Sequence, residues 1–162
     1  MVKLAKEHNV DELEMRKAYC NALIEAAKKD PRIVSVNCDL SSSMGTVAFA
    51  KEFPDRSFNL GIQEANACGV AAGMSATGLI PFFHSFAVFS SRRICDQIFQ
   101  SCAYAGLNVK IIGGDAGVSA TTNGGTHMAF EDIGIIRSIP TVTIMEPSDT
   151  VMMKSLVKQM AE

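Results

Sequence analysis

Phe58–Gln97 reads FNLGIQEANACGVAAGMSATGLIPFFHSFAVFSSRRICDQ, an apolar and almost uncharged run that holds a single carboxylate, Glu64, in its first half. A carboxylate in such a setting needs a partner, because an uncompensated buried charge is expensive. Ser57–Leu60 reads as a short strand and Gly61 breaks it. The helix that follows is built from Ala65, Ala67, Cys68, Val70, Ala71, Ala72 and Met74, so Glu64 falls at or near its start. Small residues at Ala65, Ala67, Gly69, Ala72, Gly73 and Ala76 leave room for another backbone or a flat ligand to come close.

Outward from this stretch, strand and helix signals alternate. Met1–Val10 is mixed and polar and is expected to fray or act as a tail. Asp11 and Glu14 have the spacing of a capping box, and Met15, Tyr19, Cys20, Leu23, Ile24 and Ala27 form a helical stripe up to Lys29, where Asp30-Pro31 stops it. Arg32–Asn37 is predicted as a buried strand ending in Cys38-Asp39-Leu40 and a serine turn. Met44–Phe53 is predicted as a helix, Leu79–Phe83 as a strand, Ala87–Tyr104 as a helix and Asn108–Ile112 as a strand. The Gly/Ser/Thr-rich segment from Gly113 to Gly125 has no apolar period, and a loop of that length in a compact domain is usually functional. Met128–Ile136 then reads as a short helix, Thr141–Met145 as a strand and Ser148–Met160 as a helix capped by Ser148.

This alternation predicts a three-layer α/β/α domain with a mostly parallel sheet, spanning 1–162 as a single unit. In such sheets ligands sit beyond the carboxyl ends of the strands, which marks Asp39 and Ser43. With 162 residues the chain buries roughly two-thirds of its surface on folding. It is 48% apolar and 20% charged with a formal charge of −2, which gives no electrostatic case for nucleic acid or an anionic membrane. Cys20, Cys38, Cys68, Cys95 and Cys102 show no metal-ligand or C-x-x-C spacing, and their odd number suggests reduced thiols in a cytoplasmic protein. The apolar run near Val70–Val88 is broken by Gly73, Thr77, Gly78, Pro81, His84 and Ser85, so no membrane span is expected.

GIQEANACGVAAGMSATGLIPFFHSFAVF resembles the pyrimidine-binding domain of transketolase-like, thiamine-diphosphate-dependent enzymes. A second motif in the right order, GGTHMAFEDIGIIRSIPTVTIMEPSD, is similar to that family's segment around its G-x-T-H. By spacing alone Glu64 is equally a first-turn acid favoured by the helix dipole. The resemblance implies instead that it shares a proton with a ring nitrogen of the cofactor's aminopyrimidine. That role needs a carboxyl able to hold a proton near neutral pH, which apolar surroundings favour.

Phe86 and Phe89 by spacing read as core more readily than as a ligand wall; the resemblance makes them the aromatics packed on the pyrimidine ring, with Phe89 the stronger candidate. After Phe89 some members of the family place a further aromatic, where this chain has Ser90, Ser91, Arg92 and Arg93. The resemblance also implies that His127 is a catalytic and substrate-binding histidine, that Arg16 and Ser43 meet a sugar phosphate, and that Asp39 lies at the cofactor. The chain departs from many transketolases at Asp115 and at Thr121-Thr122-Asn123, where a histidine and an aspartate respectively are common, so Asn123 becomes a candidate substrate contact and the substrate preference stays open.

No G-D-G segment with a following asparagine occurs in these 162 residues to hold a diphosphate through Mg²⁺, and the family's third, carboxyl-terminal domain is expected to lie outside them too. The resemblance therefore implies half of a shared site: a domain of a larger enzyme or a short subunit of a split transketolase. Thiamine diphosphate and Mg²⁺ would be completed by a diphosphate-binding partner subunit in a homodimer or heterotetramer. The expected reaction is transfer of a two-carbon ketol unit between sugar phosphates. Alternatives are a 2-oxo-acid dehydrogenase β-type or deoxyxylulose-phosphate-synthase-like component, or a non-catalytic assembly module, against which the retained Glu64 argues.

Overall fold

The computed structural model describes residues 10–162, so the expected amino-terminal tail lies, apart from Val10, outside the described residues. Four parallel strands form the sheet: β1 (Ile33–Asn37), β2 (Ser57–Asn59), β3 (Ile80–Phe86) and β4 (Lys110–Gly114), in the order β2-β1-β3-β4. Asn37 stands opposite Asn59 on one side and His84 on the other, and Phe86 stands opposite Gly114. The central strands β1 and β3 are buried throughout, as unbroken apolar runs in a covered parallel sheet should be, whereas β2 and β4 at the edges are only partly covered.

Helices α1 (Met15–Lys29), α2 (Val47–Glu52) and α7 (Thr150–Ala161) pack Leu23, Phe49 and Val157 against Ile33 and Phe82 on one face. The other face carries α3 (Glu64–Ala76) and a π-helical turn, Ile98–Ala103, which bring Ala67, Ala71, Ile98 and Cys102 onto Val36 and Phe83. Phe82 and Phe83 serve opposite faces because successive strand residues alternate. The three-layer α/β/α architecture predicted from the sequence is present.

Local details differ. The helix predicted over Ala87–Tyr104 is broken into α4 (Ala87–Ser91), α5 (Cys95–Gln97) and the π turn, with a turn at Arg92–Ile94 between the first two. α1 begins at Met15 without a side-chain cap; Asp11 instead accepts a hydrogen bond from the Thr150 amide at 2.9 Å, at the start of α7. α7 is capped by Asp149, which accepts from the Met152 amide at 2.7 Å, and not by Ser148.

Thr141–Met145 joins no strand. With β4 it contributes to the lining of a cleft of about 1160 Å³, which Lys110, Ile112, Val142, Ile144 and Met153 share. The short helix expected from Met128 starts only at Asp132, as α6 (Asp132–Ile136).

At the carboxyl end of the sheet the packing is tight. A Cβ on Gly113 would stand 3.0 Å from the Ala87 Cα, so only glycine lets the end of β4 meet the start of α4. The outward face of α3 is open instead: a Cβ on Gly69 or Gly73 would meet nothing within 4 Å.

Candidate functional site

From β1 the chain steps sideways to β2 and then crosses back to β3 on the far side of β1, so the order reverses between β1 and β3. A crevice beyond the carboxyl ends of the strands at such a switch point is where open α/β sheets bind ligands. Asp39 follows β1 there, and Ser85 and Phe86 end β3.

Glu64 is the first residue of α3 and is 2% exposed. Gly61, with φ +78°, turns the chain out of β2, and α3 begins three residues later with its acid on the inner side. Both carboxylate oxygens are engaged. Ser85 Oγ, fully buried in β3, donates to Oε1 at 2.9 Å, and Arg93 Nη1 donates to Oε2 at 2.7 Å. The partner that this acid required is therefore a cation and a hydroxyl together. Arg93 also lays its guanidinium over the Phe89 ring, 3.8 Å from the centroid. Next to it, burial and the Glu64 carboxylate push the Cys38 thiol up to about 12, with Arg93 pulling it down.

Phe86, at the end of β3, and Phe89, in α4, come within 6.2 Å centroid to centroid. His127 completes the group, edge-on to Phe86 at 6.0 Å and to Phe89 at 5.2 Å. It is carried there by the loop between β4 and α6, which is closed at its base where Ala129 donates its amide to the Gly117 carbonyl at 2.9 Å. The His127 Nδ1 lies 2.9 Å from Thr126 Oγ1. The structure thus gathers four of the predicted residues, Glu64, Phe86, Phe89 and His127, with Arg93 as the link.

The remaining candidates sit apart from this cluster or in a different role. Asp39, at φ +62°, is clasped by Asn59, which accepts its amide at 2.9 Å and donates to its carboxylate at 3.0 Å. Arg16 donates to the Ser43 carbonyl at 2.7 Å, not to its hydroxyl, and pairs with the Asp115 carboxylate. It thereby ties the loop after β1 to the end of β4. Asn123 is exposed in the loop that carries His127.

Sequence reasoning missed Arg93 and His84. His84, fully buried in β3, joins Tyr19 Oη to Nε2 at 2.6 Å and the Val36 carbonyl to Nδ1 at 3.1 Å, an arrangement that suits a neutral ring with its proton on Nδ1. A histidine inside the run Pro81-Phe82-Phe83-His84 was the available signal. For Arg93 the signal was a cation close after Phe89, where a further aromatic is an alternative.

Residues 11–162 match the family model of the transketolase pyrimidine-binding domain. The chain belongs to that family. This pyrimidine-binding domain is 46% identical over 153 residues to the 6-deoxy-6-sulfo-D-fructose transketolase subunit of Clostridium sp. strain MSTE9, an alignment covering 94% of the chain and 48% of the relative. It is 35% identical over 147 residues to one of the apulose-4-phosphate transketolase subunits of Phocaeicola vulgatus, covering 91% and 47%.

Among solved structures it superimposes on a split-gene transketolase described as an inactive β4 tetramer, with a TM-score of 0.80, 42% identity and coverage of 91% and 47%. The chain spans about half the length of these relatives. Among the described residues of the pyrimidine-binding domain no helix is long and apolar enough to cross a membrane, and no group of three or more His, Cys, Asp or Glu side chains gathers as a metal site would need.

Proposed function

We propose that this chain supplies the pyrimidine-binding half of a thiamine-diphosphate-dependent split transketolase. The observation that carries the reading is the buried Glu64 carboxylate at the switch-point crevice, linked through Arg93 to the Phe86–Phe89–His127 group. A carboxyl beside offset aromatic rings fits a flat, nitrogen-bearing heteroaromatic ring. It does not fit a diphosphate. That end of the cofactor, with Mg²⁺, is assigned to a diphosphate-binding partner chain in a heterotetramer or related assembly.

When bound, thiamine diphosphate supplies a nucleophilic carbon able to carry a two-carbon ketol unit. Glu64 holds or shares a proton at a ring nitrogen. Phe89 and Phe86 pack against the ring, and Asp39, held by Asn59, meets the cofactor from the loop after β1. His127 hydrogen-bonds hydroxyls of the sugar and passes a proton, work suited to an imidazole.

Arg16 and Ser43 receive the anionic end of the substrate, and Asn123 contacts it from the loop. The two relatives' names carry a sulfo group and a phosphate respectively, and both are anions a guanidinium fork matches. For this Arg16 must exchange Asp115 for the substrate.

The test is calorimetric titration of thiamine diphosphate with Mg²⁺ into the chain alone and into its mixture with the diphosphate-binding subunit. Binding in the mixture only supports the shared site. Two-carbon transfer from xylulose 5-phosphate, against decarboxylation of pyruvate, then separates a transketolase from the 2-oxo-acid dehydrogenase and deoxyxylulose-phosphate-synthase types.

A further inference from the structure

We propose that Arg93 is the positioning residue for Glu64, holding its carboxylate in one orientation from the aromatic side of the site and remaining there when the cofactor ring is bound. This rests on the thiamine-diphosphate reading above. Glu64's side chain is 1% exposed, and its two oxygens are divided between Ser85 and Arg93. Ser85 belongs to a fully buried strand and fixes Oε1 rigidly. Arg93 comes from the turn between α4 and α5 and is 44% exposed, so by itself it would be a loose partner for Oε2.

Phe89 removes that looseness. The guanidinium lies over the ring, 3.8 Å from its centroid, close enough to be held by the quadrupole while its edge donates to Glu64. Phe89 in turn is braced by Phe86 and His127. One continuous set of contacts therefore runs from the histidine through the ring and the guanidinium to the acid. With Oε1 held by Ser85, the position of the aromatic wall sets where Oε2 points.

Only arginine suits this place. A planar fork can stack and donate at once, whereas a lysine ammonium keeps the charge without the plane. The adjacent cation cannot replace it, because Arg92 turns away to pair with Glu131 at 2.6 Å. The helix break at Arg92–Ile94 thus has a use: it sends two consecutive arginines to different partners.

The experiment compares wild type with Arg93→Met, Arg93→Lys and, as control, Arg92→Met, each in complex with the diphosphate-binding subunit. It reads cofactor affinity by calorimetry, kcat and KM separately, and thermal unfolding of the complex. Arg93→Met is expected to weaken cofactor binding about tenfold or more and to lower kcat by about a hundredfold, with little change in sugar KM, as loss of an orienting charge-assisted bond should. Arg93→Lys restores thermal stability but not cofactor affinity or kcat, and Arg92→Met behaves as wild type.

The proposal is overturned if cofactor affinity in both Arg93 variants stays within about twofold of wild type, below the worth of one such bond. It is equally overturned if Arg93→Met binds cofactor more tightly, since the guanidinium would then only be filling the ring's seat. Recovery of affinity and kcat in step with stability in Arg93→Lys would reduce Arg93 to a structural ion pair. Absence of cofactor binding by the wild-type complex would instead fail the thiamine-diphosphate reading, and this assignment with it.

Discussion

Tyr19 on α1 and His84 in β3 meet Oη to Nε2 at 2.6 Å in the buried layer between helix and sheet. Burial pushes the imidazole down from 6.5 to about 4, with the Val36 carbonyl opposing it, and pushes the Tyr19 hydroxyl well above its ordinary value.

This pair sets an acid sensitivity. The folded value of His84 lies below the unfolded one, so the unfolded chain binds more protons between them. The contribution is intact above the unfolded value near 6.5 and is lost as the pH falls toward about 4, amounting to about 3 kcal/mol when complete. Urea unfolding at pH 7 and pH 4.5 should show a smaller loss in His84→Phe than in wild type. An equal loss in both would remove His84 from the account.

On the proposed function, Glu64→Gln should nearly abolish ketol transfer by the assembled complex while leaving the fold intact. The amide can still accept from Ser85, and Arg93, being partly exposed, can turn to solvent. A loss of about a hundredfold or more in kcat is expected for a removed proton-transfer group. Steady-state assays of the assembled complex, with thermal unfolding as the control, decide it. Normal turnover would sink the assignment.

For Arg16 the two roles give different numbers. Arg16 pairs with Asp115 and donates to the Ser43 carbonyl, so its removal in Arg16→Ala costs about 1–2 kcal/mol of stability. As the receiver of an anionic substrate end, its removal raises KM for phosphorylated or sulfonated sugars far more than for neutral ones. Matched kinetics on the two substrate classes read the difference, and equal effects on both would count against the role.

Asp149→Ala should destabilise the chain by about 1 kcal/mol through loss of the α7 cap, with Ser148→Ala within a few tenths. Paired thermal melts check this. Ser148 directs its hydroxyl toward Met152 Sδ at 3.7 Å, a weak contact.

Features set by neighbours in the chain were legible in the sequence. Gly61 before a run of small residues placed Glu64 at a helix start, and the apolar runs at β1 and β3 declared a covered parallel sheet. Partners that only tertiary packing brings together were not: Arg93 lies 29 positions from Glu64, and Tyr19 lies 65 positions from His84. The helix break at Arg92–Ile94 has no proline or glycine to announce it. Thr141–Met145 has strand composition, yet a strand also needs an edge to pair with, and the segment joins none of the four. Asp149 and Ser148 are both good caps by type, so only geometry separates them.

The backbone hydrogen bond from Ala129 to Gly117 makes the intervening residues a ring fastened at its base, with His127 hung just inside the knot and Asn123 at the open side. Closing a somewhat larger ring costs little entropy. Length and composition on the Asn123 side can therefore drift between descendants of one ancestor without unseating the histidine from Phe86 and Phe89. On the proposed function, a changed rim would alter which substrate is received while the histidine at the anchored end keeps its place.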